Sequence, residues 1–199
     1  VRLINSVIFA VFLAASAATP AQNTPSPSLT NHEAPGNLES TQPLGCNLDN
    51  INPSYTPADI YPGVAACIQQ GKDDDGVALY IIAGAYGQYD TLRVTDETAH
   101  DAPALLRLQA FKPIDVERMK VFQEQILSEL QKEKPHSDLC NLLLDLGPPR
   151  YYPRYMVQHG MDAFLKPKAS DLAPNFDSAS HWLVVMKDYL KCDVVVQKP

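Results

Sequence analysis

From Cys46 onward, apolar residues recur three and four positions apart, the interval at which a helix turns one face toward a core. The plainest stretch runs from Asp115 to about Lys132. Met119, Phe122, Ile126 and Leu130 form one stripe there, while Glu117, Lys120, Glu124 and Gln131 occupy other faces. Leu139, Leu142, Leu143 and Leu146 repeat the pattern, with Ser137 placed to cap that helix and Gly147, Pro148 and Pro149 placed to end it. Upstream, Thr56 and Pro57 make an N-cap and first-turn pair for a helix carrying Ile60, Val64, Cys67 and Ile68. Gly71 stops it, and Pro62 inside it predicts a kink or a restart. A second helix is expected from about Asp74 to about Tyr86 with Val77, Tyr80 and Ile81, where Ala83, Gly84 and Gly87 let a neighbour come close. Another follows from Thr98 to Phe111, with Leu105, Leu106 and Leu108 apolar and Pro103 in the first turn. A sixth runs from Tyr151 or Pro153 to Leu165. The last is capped by Asp177 or Ser178 and buries Trp182, Val185, Met186 and Tyr189. The run Val194, Val195, Val196 is β-prone but has no strand to pair with. The fold expected is all-α, an irregular bundle of about six to seven helices.

The beginning of the chain follows a different pattern. Arg2, an apolar run from Val7 to Ala15 and the small residues Ala14 to Ala18 have the layout of a secretory signal, too short to span a bilayer. Residues 1–18 are therefore read as a signal peptide. Residues 19–45 are rich in Pro, Ser, Thr, Asn and Gln without apolar periodicity, and read as a disordered linker. The helical domain is expected over 46–193 and a short tail over 194–199.

Composition narrows the field. With 199 residues, 45% hydrophobic and 20% charged, the chain fits one globular domain plus a disordered stretch and argues against a membrane channel. Sixteen Lys and Arg against 23 Asp and Glu give a net charge of −7, which works against nucleic acid or anionic lipid surfaces and favours a basic partner. Four cysteines in an exported chain point to structural bridges, for which three connectivities exist. The pairing expected is Cys46 with Cys67, tying the start of the domain to its first helix, and Cys140 with Cys192, tying the end to a mid-chain helix.

The run Ala65, Ala66, Cys67, Ile68, Gly71, Ala78, Leu79, Tyr80, then Ala83 to Tyr89, resembles one helix-turn-helix unit of tetratricopeptide and Sel1-like repeats; the likeness covers a single unit. In overall layout the chain resembles small periplasmic immunity proteins that neutralise type VI secretion effectors, including phospholipases. That resemblance implies a bacterial, exported, non-catalytic protein whose partner is a toxic enzyme.

Motifs for chemistry are scarce. The histidines His32, His100, His136, His159 and His181 are scattered with no HExxH spacing, and GxSxG, GxGxxG and P-loop patterns are absent. No metal or cofactor is expected. Asp73, Asp74 and Asp75 form the densest acidic run, readable as a helix start or as a contact for a basic partner. The segment from Pro148 to Phe164 crowds Arg150, Tyr151, Tyr152, Arg154, Tyr155, Met156, His159 and Met161 together, residue types that carry interface energy, though Tyr152, Tyr155 and Met156 also suit a core. A catalytic use of His159 with Asp162 would need a nucleophile that the sequence does not supply. The expected function is inhibition by steric occlusion, with Asp73, Asp74, Asp75, Arg150, Tyr151, Tyr152, Arg154 and His159 as candidate contacts. An envelope scaffold and an unrecognised envelope hydrolase are the other readings.

Overall fold

In the computed structural model the residues described are 34–131, 133–165 and 171–194, with side chains left out at 133–136. The signal peptide reading, the linker before Ala34, His32, the His136 side chain and the tail from Val195 lie outside them. Eight α-helices and no sheet occur among the described residues. Helix α1 (Pro57–Gln70) begins at a capping box: the Thr56 side chain accepts from the Asp59 N–H, and Asp59 answers by accepting from the Thr56 N–H. The helix runs through Pro62 without interruption and ends at Gly71, whose φ of 71° is the left-handed conformation glycine adopts most easily.

Helix α2 (Asp73–Arg93) returns along α1, and this pair is the centre of the molecule. It exceeds the expected end at Tyr86 by seven residues because Tyr89, Asp90 and Arg93 continue its buried face. Its small residues are used as expected. A Cβ at Gly87 would lie 2.8 Å from the Pro103 Cβ of α3 (Ala102–Phe111), and Pro103 sits in that helix's first turn. A 3-10 turn, Glu97–Ala99, precedes α3 where a continuous helix was expected.

Helix α4 (Val116–Gln131) matches its predicted span and buries Phe122 completely. Helix α5 (Glu133–Leu146) starts four residues before Ser137, which lies inside it rather than at its cap. The expected helix from Tyr151 to Leu165 is two short ones, α6 (Arg154–Val157) and α7 (Asp162–Leu165). The break has a cause: the Met161 and Asp162 N–H groups donate to Thr98 Oγ1 and Asp96 Oδ2, and a Cβ at Gly160 would collide with the Asp96 carboxylate.

Helix α8 (Ser178–Val184) is capped by Asp177, which accepts from the Ala179 and Ser180 N–H groups, and it continues as a π turn over Val185–Tyr189. The extra residue in that turn shifts the buried register. Trp182, Val185 and Met186 are interior as expected, but Leu190 takes the next inward place and Tyr189 is left 49% exposed. Both disulfides are those expected, Cys46–Cys67 and Cys140–Cys192, with Cα separations of 4.8 and 5.8 Å.

The domain begins earlier than composition suggests. Residues 34–45, expected to belong to a disordered linker, form a strap along α1, held at positions 59, 63 and 67, which share one face at four-residue intervals. The Leu44 N–H donates to the Asp59 carbonyl at 3.2 Å, and the Gly45 carbonyl lies where a side chain at Gly63 would stand. Cys46 is then bonded to Cys67.

Candidate functional site

The candidate contact residues do not form one surface. Asp73 pairs with Arg118, and Gln125 Nε2 donates to Asp74 Oδ1 at 3.1 Å, so the first turn of α2 is tied to α4. Asp75 is half-buried in the same turn. The acidic run thus starts a helix and braces a neighbour.

The Tyr/Arg segment turns mostly inward, around Asp90. Asp90 is fully buried; its Oδ1 accepts from Arg93 Nε at 2.8 Å, while Oδ2 accepts from the Tyr151 and Tyr155 hydroxyls at 2.9 and 2.7 Å. The Arg93 guanidinium lies over the rings of Tyr89 and Tyr151, 5.1 and 5.0 Å from their centres. Burial pushes the Asp90 carboxyl above the usual range, against Arg93 and the two tyrosines, which favour its charged form. Burial, then the adjacent Asp90 charge, pushes the Tyr151 and Tyr155 hydroxyls well above theirs. This cluster fixes the fold's centre. Tyr151 is therefore not a free contact residue, because its hydroxyl is committed to a buried carboxylate.

Three more members of the segment hold surface connections. Arg154 Nη2 donates to the Pro35 carbonyl of the strap at 3.2 Å. His159 places Nδ1 2.8 Å from Asn37 Oδ1 and Nε2 3.1 Å from Asp101 Oδ1, joining the strap to the start of α3. Tyr152, 49% exposed, hydrogen-bonds Asp171. Arg150 has an exposed side chain, and its N–H donates to the Pro53 carbonyl at 2.8 Å. Beneath the strap, Tyr151, Tyr152, Arg154 and Tyr155 line a crevice of only about 110 Å³.

A larger opening lies where no candidate residue was placed. It has two lobes of about 570 and 430 Å³ that share Tyr80 and Ile126, the first between α3 and α4 and the second between α4 and the π turn. Leu108, Phe111 and Met119 wall the first, and Leu130 and Leu190 the second. Aromatic rings make the floor: Tyr80 stacks on Phe111 at 6.2 Å, and Tyr61 and Phe122 meet that pair edge-on. Arg107 Nη1 donates to the Tyr80 hydroxyl at 3.2 Å. Lys112 lines one lobe and Lys191 the other, while no acidic residue lines either. A sequence signal for this site existed in Leu105, Leu106 and Leu108, three leucines too closely spaced for one helix to bury together; Leu106 is buried and Leu108 is 64% exposed.

Among the described residues, no group of three or more His, Cys, Asp or Glu side chains is arranged to hold a metal ion, and no helix is long and apolar enough to cross a membrane. No family model, curated protein or solved structure matches this chain.

Proposed function

We propose that this chain is an exported, non-catalytic protein that binds another protein, and that its task is to neutralise a secreted toxic enzyme in the bacterial periplasm by covering its active site. The observation that carries the reading is a pair of exposed apolar side chains on one side of α4. Met119, Phe122 and Ile126 face the bundle, whereas Val116 and Leu127, eleven positions apart and so on one side of the helix, are 77% and 58% exposed. Neither side chain lines the groove beside α3 and α4. Lys120 and Gln123 lie between them on that side, so the face mixes apolar and polar side chains, as protein contact surfaces commonly do. Two disulfides suit an oxidising compartment, and the net charge of −7 suits a basic partner surface.

The test is affinity purification of the tagged protein from periplasm, with mass spectrometry of what co-elutes and an activity assay of that enzyme. One stoichiometric enzyme encoded by a neighbouring gene is expected, inhibited by the wild-type protein. A Val116→Glu, Leu127→Glu variant should keep its circular dichroism spectrum and lose both capture and inhibition. A solitary monomer under all conditions would overturn the reading.

A further inference from the structure

We infer that the groove between α3 and α4 binds a long-chain carboxylate, a single apolar chain ending in one negative charge. Its first lobe alone, about 570 Å³, falls within the roughly 300–1,000 Å³ of small-molecule sites. The walls are aliphatic and aromatic, which suits an alkyl chain. The single guanidinium on the lining suits a carboxylate, which it can hold through two parallel hydrogen bonds.

Arg107 is half-buried against the Tyr80 hydroxyl, and among the described residues no carboxylate lies within ion-pair distance of it. Its guanidinium therefore stands on the groove lining with no carboxylate to compete for it, free to pair with an anionic ligand. Lys112 and Lys191 add positive charge to the two lobes. The groove is thus cationic in a chain whose net charge is −7, so its local sign opposes that of the whole molecule. Nucleic acid would leave the apolar walls unused, a neutral apolar segment would leave the three cations unused, and the acidic molecule as a whole is repelled by an anionic bilayer. In the geometry proposed, the carboxylate meets Arg107 and the chain passes Tyr80 and Ile126 toward Leu130 and Leu190.

The experiment uses the full chain, freed of bound lipid, and follows displacement of a fluorescent dansylated undecanoate by oleate. Oleyl alcohol and phosphatidylglycerol vesicles are run alongside. Oleate is expected to compete at low micromolar concentration and the alcohol about tenfold less well or worse. Arg107→Met should remove that difference by weakening oleate alone. Gln123→Trp, an exposed position on the lining, should fill the first lobe and abolish binding of both while leaving the thermal unfolding curve in place. Equal affinity for acid and alcohol, indifference to both substitutions, or binding to vesicles only would overturn the assignment. So would a dimer that Gln123→Trp dissociates, which would make a second copy the occupant. Val116 and Leu127 lie outside the lining, so failure here leaves the co-elution test untouched.

Discussion

Two buried aspartates sit within about nine helical turns of each other in the sequence and are satisfied in opposite ways. Asp59 is met by neutral donors: Oδ1 accepts from the Ser40 hydroxyl and the Thr41 and Gln42 N–H groups, and Oδ2 from the Thr56 N–H and hydroxyl, all within 2.7–2.9 Å. Asp90 is met by one guanidinium and two phenols. Removing Asp59 leaves five donors to find other acceptors, so Asp59→Ala should cost about 3 kcal/mol or more in urea unfolding and release the strap to protease. Arg93→Met leaves a buried carboxylate without its cation and should cost about 3–5 kcal/mol, less when Asp90→Asn is added, as a double-mutant cycle would show. Residues were the scale least legible in the sequence. Asp90 and Arg93 are three apart on a helix, the spacing of an ordinary surface pair, and nothing local says that both face inward. Tyr151 read as a contact residue, and the carboxylate that holds its hydroxyl comes from a distant helix.

At the scale of elements, helical periodicity was readable wherever a neighbour covers the apolar face, as in α1, α4 and α5. Ends were not, because they depend on distant groups. The Asp96 and Thr98 acceptors divide α6 from α7, and the π turn after α8 exchanges Tyr189 for Leu190 at the interior. The disulfides were legible because each joins the rim of the domain to a helix that its own apolar spacing had already defined. Cys140–Cys192 closes 52 positions of chain, and loop-closure entropy puts its contribution at up to about 4 kcal/mol. Replacing both cysteines by serine should lower the denaturation midpoint accordingly, without changing the far-ultraviolet dichroism of the folded state.

For the whole molecule, tyrosine burial sets an alkaline limit. Burial raises the hydroxyls of Tyr61, Tyr86, Tyr151 and Tyr155 above their ordinary 10.0. A raised folded value means the stabilisation is complete below pH 10 and is lost as pH climbs from there toward the folded values, since the unfolded chain ionises first. The tyrosinate absorbance contributed by these four should therefore rise at high pH in step with loss of helical dichroism, rather than before it. Overall charge, by contrast, was a poor guide to the groove: the sum over the chain is −7, while the charged side chains on the groove lining, Arg107, Lys112 and Lys191, are all positive.

The strap also imposes an order in time. Leu38 donates its N–H to the Tyr155 carbonyl, and Asn37 meets His159 across 122 positions of sequence. The residues that leave a ribosome or a translocation pore early must therefore wait for some of the latest before they can dock. Non-local closure of this kind is slow. In pulse-labelled refolding, amide protection at Leu38 should arrive after that of α1 and α2, so the chain spends an interval with its helix pair formed and one side of it uncovered.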